Sequence, residues 1–219
     1  ATAFFGSLNR GKTRTDKKVT IHIEKKIPVG AGLGGGSSDA AAVLTALNDT
    51  FGCPLSETSL MAIGAKLGAD VPFFIRGLPA IVSGIGDQLT YYGKLSKWTV
   101  LLVYPNVNVS TAWVYKNLNL RLTKDEKKLS NFHFDGRFFN IDKHLVNDLE
   151  AVTQTVLPVV GEIKRLLLAN GAAGAMMTGS GSTVFGLFTN AERATLSQEA
   201  LCCSPQSQDW TLFMADLLV

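Results

Sequence analysis

Gly30-Ala31-Gly32-Leu33-Gly34-Gly35-Gly36-Ser37-Ser38-Asp39 gathers five of the chain's 21 glycines into ten residues. Glycine loses more backbone freedom on ordering than any other residue, so such a run is costly. It is worth keeping where backbone must come very close to a ligand. Upstream, Val19, Ile21 and Ile23 alternate with Thr20, His22 and Glu24, which predicts a half-buried strand with His22 on its polar face. Lys25 and Lys26 follow, and Pro28 ends the strand pattern. Downstream the period becomes helical, with Ala40, Val43, Leu44, Leu47 and Phe51 on one face. Ser37 or Ser38 is the expected N-cap, Asp39 in the first turn suits the helix dipole, and Gly52 is a fitting stop. A loop feeding a helix N-terminus is a ready phosphate site. Capping alone accounts for the serines and Asp39 but not for the glycines, so contact with phosphate or magnesium is added to the reading.

Three familiar glycine loops fit less well. Gly30, Gly32 and Gly35 satisfy G-x-G-x-x-G, which is weak evidence by itself. A dinucleotide fold also wants an acidic residue about 20 positions on, at the end of a second strand. Here Asp49 falls inside the first helix and another helix follows. A Walker loop needs Lys and then Ser or Thr after its last glycine, whereas Gly36 runs directly into Ser37. The H-R-D and D-F-G motifs of a protein kinase are not in the chain.

Ser56 to Leu67 predicts a second helix, capped by Ser56 and interrupted by Gly64. Asp70 then sits between small residues and the apolar Phe73, Phe74 and Ile75, which predicts a partly buried carboxylate. Such a group needs a partner or a task, and the residues leave helix cap and catalyst equally open. Ala80 to Leu89, with Gly84, Gly86 and Asp87, reads as a hairpin or bulged strand pair. Trp98 to Val103 reads as a buried strand that opens a second domain. Pro105 to Tyr115 is a loop entering a helix, with Ser110 or Thr111 as cap. Thr123 to Arg137 reads as a polar surface excursion. Helices are expected from Asn147 and over Glu162 to Ala169, the second stopped by Asn170 and Gly171. A second glycine cluster, Gly171 to Thr183, leads into the apolar Val184, Phe185, Leu187 and Phe188. It reads either as an anion-binding nest or as a tight hairpin turn. Ala191 to Ala200 closes as a helix and Trp210 to Met214 as a last strand.

With 219 residues, 46% hydrophobic and 18% charged, the chain can fill one large core or two modest ones. A net charge of +3 is too small to argue for nucleic acid or a membrane surface. Lys12, Arg14, Lys17 and Lys18 read as a solvated turn. Cys53, Cys202 and Cys203 are odd in number and lack metal-ligand spacing, so reduced thiols, a cytoplasmic setting and no bound structural metal are expected. No apolar run approaches the roughly 18 residues of a membrane span. The chain opens at Ala1 with no signal-peptide pattern, and Thr2 to Leu8 read as the tail of a helix, so a preceding segment is expected.

Pro28 through Ala41 resembles the second motif of the GHMP family of small-molecule kinases, in which a proline and a glycine-rich stretch run into two serines. Leu67-Gly68-Ala69-Asp70-Val71-Pro72, Asn147-Asp148-Leu149-Glu150 and Thr178-Gly179-Ser180-Gly181-Ser182 resemble further segments of the family, in the same order. The resemblance implies an α/β (α+β) two-domain kinase fold. Residues 1–95 would be an N-terminally incomplete ATP-binding domain, and residues 96–219 a C-terminal ferredoxin-like domain. It implies ATP with Mg²⁺, and transfer of the γ-phosphoryl group to an alcohol. Pro28, Gly30, Gly32, Leu33, Gly34, Gly35, Gly36, Ser37 and Ser38 would hold the nucleotide phosphates, and Asp70 would be catalytic. Thr111, Tyr115, Gly179, Ser180 and Gly181 would face the substrate, although Tyr115 reads equally well as a core residue. The branch most similar takes a cytidine-diphosphate-linked methylerythritol, in isoprenoid synthesis. Homoserine or mevalonate as acceptor, and a non-catalytic nucleotide-binding fragment, are the alternatives. The resemblance also implies a catalytic lysine upstream of Val19, which no residue here matches, so this chain alone is expected to turn over little.

Overall fold

A computed structural model describes residues 19–84, 88–118 and 139–219. The expected helix tail at 2–8, the basic cluster before Val19 and the excursion at 123–137 lie outside these residues.

Three helices form the first layer: α1 (Gly35–Thr50), α2 (Glu57–Leu67) and α3 (Val71–Arg76). Ser56 caps α2 by accepting the Ser59 N–H at 3.3 Å. Gly52 follows α1 with φ 81, the left-handed stop expected of a glycine there. Ala41, Leu44, Leu60, Ile63 and Val71 bury together, with Ala40, Leu55, Phe74 and Ile75 packed around them. Gly64, costly inside a helix, is accounted for at this seam. A Cβ there would lie 2.9 Å from Ile75 Cδ1 and from Val71 Cγ1. The predicted hairpin follows as β1 (Ala80–Ser83) paired antiparallel with β2 (Gln88–Tyr91).

The expected strand at Val19–Ile23 is a correction. Among the described residues these enter no strand ladder, and Val19, Ile21 and Ile23 are 43%, 41% and 51% exposed. Alternation prepares a segment for a sheet, but a strand exists only when another strand satisfies its backbone groups.

The second layer is a four-stranded antiparallel sheet in the order β4-β5-β3-β6. Its strands are β3 (Thr99–Tyr104), β4 (Gly174–Met177), β5 (Val184–Phe188) and β6 (Thr211–Asp216). The intervening helices are α4 (Thr111–Asn117), α5 (Ile141–His144), α6 (Asp148–Val156) and α7 (Val159–Ala169), then α8 (Ala191–Cys202) before β6. Strand, helix, two strands, helix, strand in this spatial order is the ferredoxin-like arrangement. β3 lies between β5 and β6, which explains its nearly unbroken apolar sequence. Leu101, Val103, Val160, Ile163, Leu167, Met177, Val184 and Phe188 form the main core, joined by Ala194 and Leu201 of α8. Among the described residues no helix is long and apolar enough to cross a membrane.

Candidate active site

The first glycine loop enters α1 earlier than its sequence suggests. Gly34 is the N-cap, with φ 65, and has no side chain to supply a capping bond. Ser37 and Ser38 therefore lie inside the first turn and cap nothing, and Asp39 lies beyond it, correcting both expectations. The physical reason is local: only glycine takes the left-handed cap conformation cheaply, so the helix starts where the glycines allow. The Ser38 N–H donates to Gly34 O at 2.9 Å, while the amides before it belong to the turn whose donors have no partner within a helix. Gly36 is exposed, and a Cβ there would meet nothing within 4 Å. Asp39 instead holds Lys25, whose Nζ lies 2.5 Å from Asp39 Oδ2. That Nζ also lies 3.4 Å from where a Cβ of Gly35 would stand. A cation thus stands beside the positive end of the α1 dipole, with its charge shared by the Asp39 carboxylate.

The second glycine cluster folds as a hairpin loop between β4 and β5, and it abuts the first loop. Thr178 Oγ1 donates to Gly32 O at 3.1 Å, and the Thr183 N–H donates to Ala31 O at 3.3 Å. A Cβ on Gly32 would lie 2.4 Å from Thr178 O and 2.8 Å from Gly181 O, so backbone meets backbone with no room for a side chain. A third segment, Pro105 to Ser110, closes the junction. Tyr104 Oη donates to Asn108 Oδ1 at 2.7 Å, and that oxygen lies 3.2 Å from the Cβ position of Gly30. Ser182 Oγ donates to Val107 O. The hydroxyls of Thr111 and Ser180 are 2.8 Å apart. Ser110 caps α4 as expected, accepting the Trp113 N–H at 3.3 Å. Tyr115 follows Thr111 by four residues and so shares its face of α4. It is 60% exposed, which removes the core-packing alternative; Val114 is the buried residue of this helix.

Asp70 occupies the N-cap position of α3, but its side chain makes no capping bond and it is exposed rather than partly buried. Val71, 1% exposed, and Pro72 turn inward, so the start of the helix directs Asp70 the other way. The expected partial burial is thus corrected, and the cap reading with it. What the fold does supply is proximity: a Cβ on Gly68 would lie 3.7 Å from Ser37 Oγ, and one on Gly34 would lie 2.7 Å from Phe74 Cζ. The Asp70 turn and the glycine loop are therefore packed together.

Lys25 and Asn108 were not singled out by the sequence as parts of this junction. Lys25 follows the predicted strand with no role of its own, and its pairing with a residue 14 positions later has no signature. A cleft of about 570 Å³ at Pro105, Asn106, Val107, Gln208, Asp209 and Trp210 includes none of the predicted site residues. Among the described residues no group of three or more His, Cys, Asp or Glu could hold a metal by itself.

Comparison with known proteins places both parts of the chain in one family. The N-terminal domain model of the GHMP kinases matches residues 3–78, and the C-terminal model of the same family matches residues 135–205. A 4-diphosphocytidyl-2-C-methyl-D-erythritol kinase of Syntrophotalea carbinolica is 52% identical over 83% of the chain and 64% of its own length. The protein of the same name from Pelobacter propionicus is 49% identical over 91% of the chain and 69% of its length. The chain thus spans about two-thirds of the curated relatives it matches. A crystal structure of a 4-(cytidine 5'-diphospho)-2C-methyl-D-erythritol kinase superposes with a TM-score of 0.68 at 30% identity, over 90% of the chain and 69% of that protein. A homoserine kinase from Cytophaga hutchinsonii superposes at 0.64 and 17% identity, over 89% of the chain and 68% of that protein, which speaks to fold alone. The glycine loop that opens α1, the hairpin loop locked against it and both family domains, in order, make this chain a member of the GHMP kinase family.

Proposed function

We propose that the protein transfers the γ-phosphoryl group of ATP to a hydroxyl of a cytidine-diphosphate-linked methylerythritol, in isoprenoid biosynthesis. The observation that carries this is the junction itself. Two glycine loops 146 residues apart meet at Gly32 and Thr178, beside an open helix N-terminus. Phosphoryl transfer asks little of covalent chemistry and much of positioning and charge stabilisation. The donors fit that demand. The amides of Gly35, Gly36 and Ser37 would receive the phosphate oxygens, and Lys25 adds a cation. Pro28, Gly30, Gly32, Leu33, Gly34 and Ser38 shape the cradle around them. Mg²⁺ bound with the nucleotide would neutralise the phosphate charge. The Ser37 hydroxyl is the protein group offered to it, with the phosphates as its remaining support.

Asp70, exposed beside the cradle, would accept or orient the proton of the acceptor hydroxyl. Thr111, Tyr115, Gly179, Ser180 and Gly181 would border the cytidine-linked substrate, with the Thr111–Ser180 contact tying the two sides together. We place the boundary between the nucleotide domain and the ferredoxin-like domain near residue 95, between the two cores. The setting we propose is cytoplasmic.

The test is ADP release by the full-length protein, offered the cytidine-linked alcohol, homoserine and mevalonate in turn. Turnover only with the first is the expected result, and a preference for either of the others overturns the substrate assignment. Asp70→Asn is expected to lower kcat by about 10²–10⁴-fold, the range of a lost general base. Because Asp70 is exposed, stability should stay within about 0.5 kcal/mol and ATP binding should persist. Loss of ATP binding would give Asp70 a structural role instead.

A further inference from the structure

The hairpin loop from Thr178 to Ser182 is held by one face of α6, not only by its own strands. Asn147, the N-cap of α6, accepts the Leu149 N–H through Oδ1 at 3.0 Å. Its Nδ2 donates outward, to Met177 O at 2.8 Å and to Gly179 O at 2.9 Å. Glu150 lies three residues on and is 8% exposed. Its Oε2 accepts the Met177 N–H at 2.9 Å, and its Oε1 accepts Lys164 Nζ at 2.5 Å and Gln154 Nε2 at 3.1 Å. Three further residues on, Thr153 Oγ1 donates to Ser180 O at 3.1 Å. Spacings of three residues put Asn147, Glu150 and Thr153 on one side of the helix. A nearly buried carboxylate is tolerated only when its oxygens are paired, and here two of the donors come from helices and the third from β4. A turn between two paired strands can close without such help. These bonds fix the loop against α6, and so fix where it meets Gly32.

We propose that Asn147 and Glu150 are positioning residues for phosphoryl transfer: they touch neither nucleotide nor alcohol but set the height of the Thr178–Ser182 loop over the Gly32 cradle. The proposal rests on the kinase reading above.

Two variants separate positioning from stability. Asn147→Ser keeps a good capping oxygen but cannot span to both carbonyls. Glu150→Gln keeps an acceptor for the Met177 N–H while losing the charge that Lys164 pairs. Melting, kcat, KM and amide hydrogen exchange are measured on the full-length protein. For Asn147→Ser we expect a loss in kcat of about 10–100-fold, the scale of an ångström-size misplacement. KM for ATP should stay within about threefold and melting near the parent's, since ground-state binding and the cap are kept. Exchange at the Gly181 and Thr183 amides should quicken by about tenfold or more, because local opening becomes easier. For Glu150→Gln a smaller kcat loss, under about fivefold, is expected because the acceptor is retained. An unchanged kcat with unchanged exchange overturns the proposal. So does a lower melting point with kcat per folded molecule intact. Should Asn147→Ser fail to fold, Glu150→Ala against Glu150→Gln makes the same comparison. If the parent phosphorylates no alcohol yet loop exchange still quickens, the kinase reading falls and the loop-holding role of α6 stands.

Discussion

The two glycine clusters look alike in sequence and are supported in opposite ways. The first, Gly30 to Ser38, is shaped by backbone: Gly34 starts α1 and leaves amides pointing outward. The second, Thr178 to Ser182, is bounded by antiparallel strands and pinned by side chains from α6 and by the Thr111 hydroxyl. One loop presents donors and the other is fixed in place against it. Even within the first loop glycine serves two ends: a Cβ on Gly32 would collide with the backbone of Thr178 and Gly181, whereas one on Gly36 would meet nothing within 4 Å. Composition does not distinguish a glycine that makes room for a neighbour from one that leaves room for a ligand.

Substitution at those two positions is the sharpest way to break this contrast. Gly32→Ala would drive a methyl group into the backbone of Thr178 and Gly181 at a φ of 77. We expect a cost of about 3 kcal/mol or more, read from the denaturant midpoint, with turnover reduced by about 10²-fold. A tolerated Gly32→Ala would mean that the loops do not meet as described. Gly36→Ala, in the first turn of α1 with nothing within 4 Å, should leave stability unchanged or raise it by up to about 1 kcal/mol. If phosphate occupies that space, the methyl group should weaken ATP binding by about tenfold, or ~1.4 kcal/mol, in titration calorimetry. Unaltered ATP affinity would move the nucleotide away from this turn. The smallest effect is expected at Thr183, whose hydroxyl is fully buried without a hydrogen-bond partner among the described residues. Thr183→Val should therefore be neutral or stabilising by up to about 1 kcal/mol in thermal unfolding. A clear loss of stability would show that this hydroxyl has a partner at the seam.

Much of the fold was legible because the signals were local. Ser56, Ser110 and Asn147 cap the helices they precede, Gly52 and Gly171 stop theirs, and the apolar run before Pro105 became the central strand β3. The errors were of one kind. Val19 to Ile23 alternates like a strand, but pairing is a property of two segments. Asp70 has apolar neighbours in sequence, yet those neighbours turn inward and leave it in solvent. Ser37 and Ser38 have the chemistry of caps, but Gly34 reached the cap conformation first. Each depended on a direction in space that one-dimensional spacing does not carry.

From sequence alone came the glycine loop, the helix behind it, the carboxylate at Asp70 and the order of motifs that marks a GHMP kinase. These follow from local backbone preference and short-range spacing, which a chain states without folding. Tertiary structure alone decided that Gly32 and Thr178 touch, that Lys25 stands over the α1 N-terminus, and that Asn147 and Glu150 hold the second loop. Those contacts join residues 14 to 146 positions apart. They exist only once two hydrophobic cores have fixed where each loop must lie.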